Sequence, residues 1–289
     1  MLVQNLWKVS GSLALVMAAC ACTAVPPASA QPVAEVRQSA TYADLADLVG
    51  GADLVVRAEI RKQSQLEAER APGLAPGFSR LYIEADTKAL IGGTVPIGEK
   101  IKYLVDVPNL ANGKPPKLRK QSVMIFADTV PGRPGQLQLT DPRAQLLWSP
   151  VLEEQVRAIV SETVRADAPP AITGIADAIS IGGNLVGESE TQLFLSTADG
   201  SPASITVLRR PGQDPQWGVS FSEIVDQSAQ PVERNTYAWY RLACGLPESL
   251  PANAVLSRDR AARVRAEEDY AWVRGQIGPC QRMRETAAS

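Results

Sequence analysis

Four carboxylates in the second half of the chain, Glu188, Glu190, Glu223 and Asp226, are the residues whose type and spacing come nearest to a reactive group. Gathered at one end of a sheet, two of them would serve as acid and base in glycoside hydrolysis, which needs carboxyls about 5–9.5 Å apart. Left at separate strand ends they are ordinary surface charges. The most informative catalytic observation is an absence. The sequence contains no histidine, which removes Ser-His-Asp and Cys-His nucleophiles, imidazole acid–base chemistry and histidine-bound zinc. Neither Gly-x-Ser-x-Gly nor Ser-x-x-Lys occurs beyond residue 30, so no serine-hydrolase motif takes their place. Gly182, Gly183 and Gly187 lack the Lys-Ser/Thr pair of a phosphate loop and read as turns. Nothing calls for a cofactor or a metal.

Binding chemistry is better represented. Lys114, Lys117, Arg119 and Lys120 cluster around Pro115-Pro116, a basic loop suited to an anionic envelope surface and weakened by salt. The plain alternative is solubilising charge. Aromatic residues crowd the second half: Trp217, Phe221, Tyr237, Trp239, Tyr240, Tyr270 and Trp272. Trp217, Trp239 and Tyr240 are candidates for a ligand face for sugar or peptide, with a packed core as the alternative. Cys244 and Cys280 are the cysteines that remain beyond residue 30. In an exported chain two cysteines predict one disulfide, closing about 37 residues and stabilising the fold by roughly 4 kcal/mol on the chain-entropy model.

Export is itself a reading of the N-terminus. Lys8 is followed by an uncharged, mostly apolar run from Leu13 to Val25, then Pro26-Pro27 and the small-x-small site Ala28-Ser29-Ala30. The pattern predicts a signal peptide cut after Ala30; the run is too short for a bilayer, which needs about 20 residues. Met17-Ala18-Ala19-Cys20 resembles a lipoprotein cleavage site, so a lipid anchor on Cys20 is the alternative. The chain carries 29 basic and 31 acidic side chains without long runs of one sign, which argues against nucleic acid as a partner. The expected compartment is the periplasm or the exterior, with an outer-membrane lipoprotein as the alternative.

The elements that would position these groups are mainly strands. Leu54, Val56, Ala58 and Ile60 alternate with Arg57, Glu59 and Arg61, giving a half-buried strand over Ala52 to Ile60. Thr41 and Asp44 form a capping-box pair ahead of a short helix that ends at Gly50. A long loop is expected over Gln63 to Phe78, then strands over Leu81 to Ile91 and Ile101 to Val107. Val123 to Ala127 reads as a central strand, and short strands follow around Leu137, Leu139, Leu146 and Trp148. Ser149-Pro150 starts a helix with Leu152, Val156, Ile159 and Val160 as its buried stripe. Strands around Leu193, Ile205 and Trp217 form a meander with a turn at Asp199-Gly200. Tyr237 to Cys244 reads as a helix, with a strand as the alternative. A charged helix capped by Ser257 and ending near Gly275 closes the chain.

The order of a leading Ala52-Asp53-Leu54-Val55-Val56 strand, a long second strand ending in Gly92-Gly93, a third after Gly98, an apolar fourth and a closing helix resembles an OB-type barrel. Within that class it is most similar to netrin-like and metalloproteinase-inhibitor-like barrels and their bacterial look-alikes, over residues Thr41 to Val164. The animal inhibitors grip zinc through an N-terminal cysteine. A chain beginning at Gln31 has none, so the resemblance implies a fold and no inhibitory activity.

The sequence thus predicts a mainly β protein with flanking helices (α+β): an OB-like five-stranded barrel over 41–166, then a small antiparallel β module with a disulfide-tied C-terminal helix over 171–280. Residues 1–30 are the signal peptide, 31–40 a flexible leader and 281–289 a frayed tail. The expected function is non-catalytic binding or assembly in a bacterial periplasm or cell envelope, with an envelope protein or anionic polymer as partner. The alternative is a carboxylate-dependent hydrolase acting on envelope polysaccharide.

Overall fold

The computed structural model describes residues 40–223 and 230–284. The expected signal segment, Cys20, the leader through residue 39 and Asp226 lie outside the described residues. The chain is mainly β, with two antiparallel sheets, flanking helices and a C-terminal helix.

Helix α1 (Tyr42–Gly50) begins at the predicted capping box: Thr41 Oγ1 accepts from the Asp44 N–H, and Asp44 Oδ2 accepts from the Thr41 N–H at 2.7 Å. Strand β1 (Leu54–Gln65) pairs antiparallel with β2 (Phe78–Gly92) and with β4 (Ser122–Thr129), while β3 (Lys100–Pro108) pairs with β2. Short strands β5 (Leu137–Leu139) and β6 (Gln145–Leu147) both pair with β4, giving the order β3-β2-β1-β4-β5.

Strand β1 outruns the expected Ala52–Ile60 by five residues, because β2 begins at Phe78 and offers Leu81 and Tyr82 as partners to Gln65 and Ser64. A polar stretch with a waiting ladder becomes an exposed strand rather than a loop. Leu54, Val56, Ala58 and Ile60 are buried as their alternation requires. Val123 to Ala127 are all buried, consistent with a strand covered on both faces. Gly93 holds the end of β2 at φ +116°, where an added Cβ would clash with the Asp53 carbonyl.

The two edges of this sheet meet. Lys102 of β3 bridges Gln136 in parallel, its N–H donating to the Gly135 carbonyl at 2.8 Å, and the Asp106 N–H donates to the Pro142 carbonyl at 2.7 Å. Among the described residues the paired ladders run β3-β2-β1-β4-β5, and the Lys102–Gln136 bridge links the β3 end to the β5 end.

Helix α2 (Pro150–Thr163) starts from Ser149, whose hydroxyl accepts from the Leu152 N–H, and buries Val156 and Ile159 against this first core. The second sheet is a meander ordered β10-β9-β8-β7, built from β7 (Ile172–Gly182), β8 (Ser189–Thr197), β9 (Ser204–Arg209) and β10 (Gln216–Ser220). Tyr237 to Cys244 is helical, within α3 (Tyr237–Gly245), capped by the Thr236 hydroxyl. Its Tyr237 enters the first core, while Trp239, Leu242 and Ala243 enter the second.

The last helix, α4 (Arg260–Ile277), is capped by Asp259, whose carboxylate accepts from the Ala262 N–H at 2.8 Å. The expected cap, Ser257, instead accepts from the Asp259 N–H and orients the true cap. The helix continues past Gly275 to Ile277, since Val273 and Ile277 are buried and hold the last turn. Cys244 and Cys280 form the predicted disulfide.

Residues 281–284, expected to fray, are bound. Met283 and Arg284 donate their N–H groups to Asp44, Arg282 pairs with Asp47 at 2.6 Å, and Arg284 reaches Asp141 and the Arg143 carbonyl. The carboxylates of α1 supply partners that the tail's own sequence does not reveal.

Candidate functional site

The widest cleft described lies beside the bridged edges of the first sheet. On β3 the alternation that sends Tyr103 inward, its hydroxyl donating to Gln145 Oε1 at 2.6 Å, sends Lys102 and Leu104 outward. Register then places Ser64, Tyr82 and Leu104 in one cross-strand row and Lys62, Glu84 and Lys102 in the next. Two turns wall the row. One is the 3-10 turn Ala68–Arg70, fixed by the Arg70 N–H to the Glu67 carbonyl; the other follows β4 and is fixed by the Arg133 N–H to the Val130 carbonyl.

The resulting cleft encloses about 680 Å³, with Leu66, Tyr82, Leu104 and Leu137 as apolar lining and Arg70, Lys102 and Arg133 as cations. Glu67 is its one carboxylate among the described residues. None of the three cations forms an ion pair with a described residue. Glu84, next to Lys102 in the register, is engaged by Lys62 at 3.5 Å. Such a site suits an anionic ligand with an apolar face. Among the described residues no cluster of His, Cys, Asp and Glu could hold a metal ion.

None of the four cations of the predicted basic loop lines this cleft. Lys114, Lys117, Arg119 and Lys120 are all exposed, and none forms an ion pair with a described residue. Their display is fixed: Gln63 donates its amide to the Pro116 carbonyl at 2.9 Å and accepts from the Leu118 N–H, while Leu118 is buried. Lys120 adopts φ +69° and donates its N–H to the Ile60 carbonyl.

Neither a protein-family model nor a curated protein matches the chain.

The predicted aromatic face is not assembled. Trp239 is core, its indole N–H donating to the Ile277 carbonyl at 2.8 Å and its ring meeting Tyr42 edge-on. Tyr240 borders a separate cleft, its hydroxyl donating to Asp47, and its phenol pKa is pushed up by burial and then by that carboxylate. Trp217 lines a third, beside Trp272. Helical spacing on α3 sends adjacent Trp239 and Tyr240 to different sides, and Trp217 is on the far edge strand.

Of the predicted carboxylates among the described residues, Glu188 and Glu190 stand two residues apart and Glu223 at the other end of the sheet. Glu188 closes the β7–β8 turn, accepting from the Asn184 N–H at 3.0 Å, and Glu190 accepts from the Gln192 amide. Glu223 follows Ser220, which pairs with Ser204 and through it with Phe194. Glu188 precedes Ser189 at the other end of that strand, so roughly five residues at about 3.3 Å each, some 16 Å, separate the two ends. That exceeds the spacing of a glycosidase pair.

Sequence reasoning missed Arg70, Lys102 and Arg133 because they are far apart in the chain, Lys102 on a strand and Arg70 and Arg133 in separate turns. Alternation alone places Lys102 outward. The register between β2 and β3 was the missing information.

Proposed function

We propose that this is an exported, non-catalytic binding protein of a bacterial cell envelope that takes an anionic polymer segment into the cleft of Tyr82 and Leu104. The carrying observation is the trio Arg70, Lys102 and Arg133 around an apolar floor, without ion-pair partners among the described residues. Export is supported by the N-terminal sequence pattern and by the Cys244–Cys280 disulfide, which suits an oxidising compartment. No helix among the described residues is long and apolar enough to cross a membrane.

A second docking reading rests on its own observation. The rigid display of Lys114, Lys117, Arg119 and Lys120, clamped by Gln63, suits contact with a charged surface. The carboxylate-dependent hydrolase has less support, since Glu188 and Glu223 stand at opposite sheet ends.

Binding to purified lipopolysaccharide, compared with an uncharged polysaccharide at low and high salt, tests the reading. The triple variant Arg70→Ala, Lys102→Ala, Arg133→Ala is expected to lose affinity at least about tenfold and most of its salt dependence. If a variant lacking the four loop cations loses binding while the cleft variant keeps it, docking belongs to the loop. Salt-independent binding, or none, overturns the proposal.

A further inference from the structure

We infer that the cleft between β10 and the last turns of α4 is a second binding site, for a neutral saccharide. It encloses about 410 Å³ and is lined by Trp217, Trp272, Gln216, Gln276, Gln230 and Thr206, with no charged side chain among the described residues.

Indole faces pack against the C–H faces of a sugar ring, and amides and hydroxyls exchange hydrogen bonds with its hydroxyls. An uncharged lining of this kind neither attracts nor repels ions and selects a neutral polar ligand.

The state of the indoles separates these two tryptophans from the others described. Trp148 donates its N–H to Glu153 at 2.6 Å and Trp239 donates to the Ile277 carbonyl. The N–H groups of Trp217 and Trp272 have no hydrogen-bond partner among the described residues, and neither is a sealed buried donor. Trp217 is 8% exposed and forms the floor, while Trp272 is half-buried and forms a wall.

The walls are held from behind. Trp217 pairs with Val207 in the sheet, and Trp272 sits on a helix fixed by Ile277 in the core and, just past its end, by the Cys244–Cys280 bridge. A site held this way loses little freedom on binding.

The test is nitrogen-labelled indole NMR of the full chain, with neutral linear gluco-, chito- and malto-hexasaccharides as probes. Expected are shifts of the Trp217 and Trp272 resonances, with Trp148 and Trp239 unmoved, and no weakening by salt. Trp272→Ala should weaken binding at least about tenfold, and Gln276→Ala about threefold, with the thermal midpoint reporting folding. Because Trp217 is largely buried, the half-buried Trp272 and exposed Gln276 are the informative positions. The Arg70, Lys102, Arg133 variant should bind these sugars normally, so failure of the anionic cleft and failure of this site are distinguishable. No shift with any probe, or shifts unaffected by Trp272→Ala, overturns the inference.

Discussion

Asp269 has a fully buried side chain on α4, where it accepts from Arg209 of β9 and from the Thr191 hydroxyl of β8, which lies 2.9 Å from that of Ser180. The carboxylate fastens helix to sheet across three strands, and removing it leaves a guanidinium and a hydroxyl without their partner. Asp269→Ala is expected to cost about 3–5 kcal/mol in urea unfolding. Glu153 joins β1 to α2 differently. Trp148 and Arg157 hydrogen-bond it, Arg57 adds attraction, and together they hold its carboxyl below the ordinary value of 4.5. A lowered folded-state pKa stabilises the fold above the unfolded pKa, and that contribution is lost as pH falls through the folded value. Stability measured downward from about pH 4.5 should decline, and Glu153→Gln should flatten that part of the slope.

At the scale of elements, α3 decides how closely the second sheet is covered. Its Gly245 lies against the start of β7: an added Cβ would fall 2.8 Å from Ile172 Cβ and closer still to the Ile172 carbonyl. Gly245→Ala should therefore destabilise by about 1–3 kcal/mol, seen as a lowered urea midpoint. Helix α4 is weakly amphipathic, with small Ala262 and Ala266 on the same buried side as Tyr270 and Val273. Its hold on the sheet comes from Asp269, from the Tyr270 hydroxyl donating to the Pro247 carbonyl, and from the disulfide. Burial pushes the Tyr270 phenol up to about 12. Replacing both cysteines by serine should lower stability by about 2–4 kcal/mol without changing the strand content seen by circular dichroism.

Across the whole described chain from Ala40 onward, α1 and the tail tie distant parts together. Asp44 caps its own helix and also receives the Met283 and Arg284 N–H groups, while Asp47 holds both Tyr240 and Arg282. Arg284 continues to Asp141 beside the first sheet. Arg284→Ala is expected to cost about 1–2 kcal/mol, and ending the chain after Cys280 to cost more, both read from thermal unfolding.

The sequence by itself determined the parts whose physics is local. Alternation named the strand faces, Thr41, Asp44 and Ser149 named two helix starts, Asp199-Gly200 named a hairpin, and the two cysteines beyond residue 30 named their bond. Tertiary structure decided what depends on partners from elsewhere. Gln65 became strand because β2 was there to pair with it, and Arg282 to Arg284 became ordered because α1 carries two carboxylates. Arg70, Lys102 and Arg133 met because strand register and two turns brought them to one edge. Trp217 lines a cleft with Trp272 and not with Trp239 for the same reason: a side chain's direction follows from its own backbone, but its neighbour is fixed only when sheets and helices pack.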